Sequence, residues 1–211
     1  FGSGGGLCGN AGCNAEGKGG GFIILNITGT LNTDALFLAS GDSPIGAVNN
    51  VRTGGGAGGS IWVDTGTLTG SGQFIADGGL GGDDGADASG GGGSGGRIAV
   101  YYDTNDGFDF TTSSVTGGLG PNTATDGEAG TLAFIDKDNN EITIYGGWEF
   151  QTNITYTNIT ITDALVRGNN SETLNITTTD VFKVVNSNWT NPDIDLIIQA
   201  DSFNFTTVNI T

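Results

Sequence analysis

The chain has 211 residues, with 23 Asp and Glu against six Lys and Arg, no His and no Met, for a formal net charge of −17. So acidic a chain cannot neutralise a run of phosphates, which excludes nucleic acid as a partner. Without histidine, a Ser-His-Asp or Cys-His arrangement and any His-ligated metal centre are also excluded.

Glycine supplies 41 residues, far above its usual share of about 7%. No apolar run approaches the 18 residues of a membrane-spanning helix, so no membrane span is expected in this segment. The chain opens on FGSGGG, which reads as a processed product or a fragment of a longer exported chain.

Near the start, LCGNAGC places Cys8 and Cys13 close enough to close a small disulfide loop in an oxidising compartment, or to remain as two thiols. Asn26 opens a series of N-x-S/T acceptors that continues at Asn153, Asn158, Asn169, Asn175, Asn188, Asn204 and Asn209. Eight such triplets, seven in the last 60 or so residues, point to a glycosylated extracellular, cell-surface location.

A glycine-rich loop leads into a β-like segment four times, with strand entries at Phe22, Ile61, Ile98 and Leu132, spaced by 39, 37 and 34 residues. Each entry is followed by a second β-like stretch: ALFLAS, GQFIADGG, FDFTTSSVTGG and EITIYGG. No segment shows capped helical periodicity. The fold expected is all-β, a right-handed parallel β-helix in which glycines make the corners, with residues 1–147 as glycine-rich units. A sandwich or barrel would instead pair the same strands antiparallel.

Glycine then stops: only Gly168 follows Trp148. The remainder, 148–211, is rich in Asn and Thr and alternates with period two, as half-buried strands do. Phe203 and Phe205, Leu174 and Ile176, and Trp148, Phe150, Ile154 and Tyr156 are expected to point inward, with acceptor asparagines outside. This part reads as a continuation of the same solenoid.

The pattern GGGAGGSIWVDTGTLTGSGQFIADGGLGG, followed by GGGGSGGRIAVYY, resembles the glycine-rich repeats of large secreted surface proteins of bacteria and archaea. The likeness is close over Gly54–Gly120 and weaker over Gly17–Asp136. It implies parallel β-helix or adhesin-like modules with an exported structural or adhesive role, and brings no catalytic pattern.

The glycine runs carry no G-K-[ST] and lead into strands, so they are not nucleotide loops. Arg97 is expected to pair with an acid of GGDDGADAS. Asp103, Asn105, Asp106 and Asp109, and Asp136, Asp138, Asn140 and Glu141, offer oxygens at alternate positions, as solvated turns or as structural Ca²⁺ sites, though neither completes an EF-hand. Asp64, Asp77 and Asp103 are the carboxylates available for acid–base chemistry on a glycan, but they sit in Gly/Asp-rich surroundings with few cations nearby. Trp62 should face opposite to Ile61 and Val63, Tyr101 and Tyr102 cannot both point inward, and Trp189 reads as a corner residue.

The function expected is a non-enzymatic structural glycoprotein of a cell-surface filament, layer or stalk. Its partners would be further copies meeting at unpaired strand edges, or other surface proteins. The alternative is an adhesin module that binds glycan or protein.

Overall fold

The computed structural model describes residues 1–6, 17–44, 53–83, 89–150, 152–168, 174–190 and 196–210. Cys8, Cys13 and Asn169 lie outside them. The described chain is all-β, with one 3₁₀ turn at Phe110–Thr112 and no α-helix among these residues. Among the described residues no helix is long and apolar enough to cross a membrane.

Alternation builds the first strands: β1 (Phe22–Asn32), β3 (Ser60–Thr69) and β5 (Arg97–Asp106) lie parallel in register, Ile23 beside Ile61 and Ile61 beside Ile98. The first register partner of Ile61 is thus Ile23, not Phe22. One parity is buried: Ile61, Val63, Ile98, Val100 and Tyr102 enter the core. Trp62 and Tyr101 face the other way, as alternation requires. The second segments pair behind this sheet. β2 (Leu36–Leu38) lies parallel to β4 (Gln73–Ile75), and Ser114 bridges to Ile75.

The glycine runs are straight segments rather than corners. From Gly54 to Gly59, successive backbone N–H groups donate to Gly6, Gly91, Asp42, Ser3, Ser94 and Ala39 carbonyls at 2.6–3.1 Å. Three neighbouring segments are addressed in rotation, and every third residue returns to the same one. That is the three-fold symmetry of an extended polyproline II-like chain, which makes no internal hydrogen bonds and must find all its partners outside. Segments 90–96 repeat the pattern, with Gly92 and Gly95 donating to Thr125 and Glu128, and Gly93 and Gly96 to Gly79 and Ala76.

Glycine is needed here for proximity, not for positive φ. Among described glycines only Gly70, Gly107 and Gly146 have φ in the left-handed region. A Cβ on Gly92, by contrast, would run into the Gly118 carbonyl oxygen. The segments therefore form a hydrogen-bonded slab beside the β-stack, closed to side chains at most positions.

The stack then changes direction. β6 (Thr131–Asp136) runs parallel to β5, but β7 (Glu141–Phe150) returns antiparallel to it. EITIYGG, expected as a fourth second segment, is instead the other arm of a hairpin. Four turn residues separate the paired Asp136 and Glu141, and the turn is tied by Asn139 N–H to Asp136 Oδ1 at 2.9 Å, with Asn140 at φ +54°. So short a turn leaves no length for a crossover, and an antiparallel return is the only connection available.

Beyond the hairpin the strands are again parallel. β9 (Asn158–Gly168), β11 (Val181–Val185) and β14 (Ser202–Thr206) follow β7 in order, with β12 (Asn188–Thr190) and β15 (Asn209–Ile210) extending the rungs. The reverse face is β8 (Ile154–Tyr156), β10 (Leu174–Thr178) and β13 (Leu196–Gln199), with Ile154, Ile176 and Ile198 aligned. One sheet thus runs β1-β3-β5-β6-β7-β9-β11-β14, in chain order throughout and across the compositional change at Gly147.

The core changes sides where the direction changes. Leu132 and Phe134 of β6 join Ile98, Val100 and Phe108 on one face. Ala133 and Ile135 join Ile142, Ile144, Ile159 and Phe182 on the other. This explains why LAFI is apolar without alternation: the strand is buried on both faces. Reversing both strand direction and core face leaves the sense of winding unchanged.

Three side chains differ from the expected placement. Trp189 is 1% exposed in the second core, not at a corner. Phe203 and Phe205 do align with Phe182 and Val184. Yet both stay about half exposed, at 49% and 46%, because among the described residues no strand follows β14 in the sheet.

Candidate binding groove and surface sites

The switch of core face creates a concavity. On the far side of the first sheet, an outward row runs across the strands through Ile24, Trp62, Ala99, Ala133 and Ile144. Ala99 and Ala133 are its small members and leave a hollow between larger neighbours. The second half covers this same face, so its first coil stands as a wall beside the hollow, formed by Trp148 of β7, Tyr156 of β8 and Arg167 of β9. The result is a groove of about 710 Å³.

Its aromatic surfaces are half-buried. Trp62 and Tyr101 lie 6.1 Å apart at 47°, and Tyr101 and Tyr156 both line the groove. Burial, and to a smaller degree Tyr101, push the Tyr156 hydroxyl above its ordinary value, so it stays protonated and can donate.

The rim is polar. Arg167 donates through both guanidinium arms to Glu128, Nη1 to Oε2 and Nη2 to Oε1, each at 2.8 Å. This fork joins the second half to the last glycine segment, and the Arg167 hydrogen bond holds the Glu128 carboxyl below its usual range. Arg97 also lines the groove, at the start of β5. Among the described residues no ion pair joins it to the GGDDGADAS acids, of which only Asp83 is described.

The residues singled out as calcium ligands are not drawn together. Lys137 Nζ lies 2.6 Å from Asp64 and 3.0 Å from Asp103, so an ammonium supplies the cation there. The Asp64 hydrogen bond, ahead of the Asp103 one, raises Lys137 above its ordinary value. Asn105 closes the β5 turn onto the Phe108 backbone, and Asp109 accepts from Thr111 N–H and Oγ1. The Asp106 carbonyl accepts from Thr69 Oγ1. Asp136 caps its hairpin turn, in which Asp138 and Asn140 are exposed, and Glu141 accepts from Asn158. Among the described residues no group of three or more acidic or sulfur side chains is placed to hold a metal.

The acid–base candidates are similarly occupied. Asp77 accepts from Ser114 Oγ at 2.6 Å and Thr116 N–H at 2.7 Å, tying two coils together. Asp64 and Asp103 share Lys137.

The acceptor asparagines separate into two groups. Asn26, Asn153, Asn188, Asn204 and Asn209 are exposed, and Asn175 is half-buried. Four of them meet in pairs on neighbouring strands: Asn175 N–H donates to Asn153 Oδ1, and Asn209 Nδ2 to Asn188 Oδ1. Asn158 is different. Its Nδ2 donates to Glu141 Oε1 at 2.6 Å while its Oδ1 accepts from Val181 N–H, so a sugar on Nδ2 would displace an inter-strand bond.

Sequence reasoning identified Trp62 as outward-facing and Arg97 as a junction residue. It did not find the groove, because Trp148, Tyr156 and Arg167 reach it only through the reversal at β6 and β7. The apolar run LAFI was the one available signal. No protein-family model matches this chain, and no curated protein and no solved structure matches it.

Proposed function

We propose that the chain is a non-enzymatic extracellular structural glycoprotein, a right-handed parallel β-helix that builds a cell-surface filament, layer or stalk. The observation that carries this reading is the stack of eight strands in chain order along one sheet. At about 4.8 Å per strand spacing, these span roughly 34 Å as a continuous hydrogen-bonded ladder. A ladder of this kind resists extension along its axis. The glycine slab, with its own inter-segment bonds, stiffens the first half against bending.

Connections between parallel strands of one sheet are almost always right-handed, which supports that hand for both halves. The exposed acceptor asparagines suit a glycosylated surface, and the acidic side chains serve turns and inter-coil bonds rather than a reaction centre.

Among the described residues β1 and β14 are the outermost strands of this sheet, and they expose Phe22, Ile24, Phe203 and Phe205. An uncovered edge is a template for another strand. Copies adding at these edges would extend the stack.

Negative-stain images of the purified chain across a concentration series test the proposal. Rods joined end to end into regular fibres are expected. Isolated particles at every concentration would overturn the filament reading. A second reading, an adhesive binding module, is favoured by the aromatic groove.

A further inference from the structure

We infer that the groove between the outer face of the first sheet and the first coil of the second half binds a short, uncharged oligosaccharide whose rings carry equatorial hydroxyls. The inference deepens the adhesive reading and does not depend on whether copies assemble into fibres.

On the face of β3 and β5 turned away from the first core, Trp62 and Tyr101 stand as adjoining, half-buried rings at the groove. An aromatic face offers dispersion and a negative quadrupole. A pyranose with equatorial hydroxyls offers the complement, a flat face of weakly positive C–H groups with hydroxyls directed outward around its edge. Those hydroxyls need donors and acceptors at the rim, and the groove supplies both kinds. The Arg97 guanidinium and the Tyr156 hydroxyl donate, while the Glu128 and Glu149 carboxylates accept.

Charge narrows the ligand further. Arg97 and Arg167 balance Glu128 and Glu149, so the rim is neutral in a chain whose net charge is −17. An acidic glycan would enter against the field of the whole molecule, and a cationic one against the Arg97 side chain. An uncharged ligand meets neither penalty.

A peptide strand is a poor fit. The floor is the face of a sheet, not its edge, so it has no backbone ladder to offer. The volume, about 710 Å³, lies within the range of small-ligand sites. The floor spans three strand spacings from β1 to β6, about 14 Å, which suits a chain of sugars rather than a single ring. The site is also preformed, because floor and wall are both ladder-bonded strands, and little ordering cost falls on binding.

Tryptophan emission of the 211-residue chain provides the test. Trp62 and Trp148 line the groove, whereas Trp189 is fully buried elsewhere and contributes a constant background. Cellohexaose and tetra-N-acetylchitotetraose are titrated, with tetragalacturonate as the acidic comparison. A saturable emission change with a neutral probe is expected, weakened at least tenfold in Trp62→Ala and retained in Trp62→Phe. Absence of a saturable change with either neutral probe up to about 10 mM, well above a millimolar dissociation constant, would overturn the inference. So would tighter binding of tetragalacturonate, or full affinity in Trp62→Ala. Trp62 lies outside both cores, and an unchanged thermal midpoint in the variant separates loss of binding from loss of fold.

Discussion

Gly92→Ala is expected to destabilise the protein by about 1–3 kcal/mol or more, while Gly21→Ala leaves stability within about 1 kcal/mol of the parent. Both residues are glycines in runs, and neither has a positive φ. They differ in what a methyl group would meet. On Gly92 it would strike the carbonyl of Gly118 in the neighbouring segment, and backbone cannot step aside as a flexible side chain can. Separating the two segments would also strain the bond from Gly118 N–H to the Gly93 carbonyl. On Gly21 nothing lies within 4 Å, and the lost freedom of the unfolded chain partly compensates. Urea denaturation of the two variants checks the contrast. Equal, small effects would mean that the glycine runs are spacers, not a packed slab.

The second large effect is expected at Phe134. Its alanine variant should lose about 3–5 kcal/mol in the same assay. Phe134 is fully buried, lies stacked on Phe110 with centroids 4.0 Å apart, and meets Tyr145 edge-on at 6.4 Å. It belongs to a column that continues through Phe108 and Phe74 to Phe37. Removing it opens a cavity and breaks the last link of that column, and each aromatic pair contributes about 0.5–1.5 kcal/mol beyond burial. A loss below about 1 kcal/mol would show that this end of the first core collapses around the vacancy, contrary to its close packing.

Much of the strand scaffold was legible because it rests on alternation. Ile61, Val63, Ile98 and Val100 announced their buried face, and the repeat of glycine run and strand announced the parallel register of β3, β5 and β6. Two features were not legible, for different physical reasons. The three-fold hydrogen bonding of the glycine segments involves only backbone groups, so it leaves no hydrophobic period to read. The glycines looked like corner residues because positive φ and close approach both demand glycine, and only the structure shows that close approach is the reason here.

The reversal at β6 and β7 was masked by the repeat itself. TLAFID follows a glycine run as IWVDT and IAVYY do, yet its apolar residues occupy both parities. That difference marks a strand with a core on each side. The candidate groove follows from the reversal and was hidden with it, since Trp62 lies in a glycine-rich repeat and Trp148 in the part that follows the repeats. The acidic turns show the opposite lesson. Asp103 and Asp109 had ligand-like spacing, but a lysine 34 residues beyond Asp103 and a local threonine satisfy them.

Amide hydrogen exchange, resolved residue by residue by NMR, tests the central structural claim most directly. If the glycine segments are a bonded slab that stiffens the stack, the amides of Gly55, Gly58, Gly93 and Gly95 will be protected to a degree comparable with Val100 in β5, because each donates to a neighbouring segment. Exchange of these four amides at the rate of an unstructured chain, with Val100 still protected, would contradict the account.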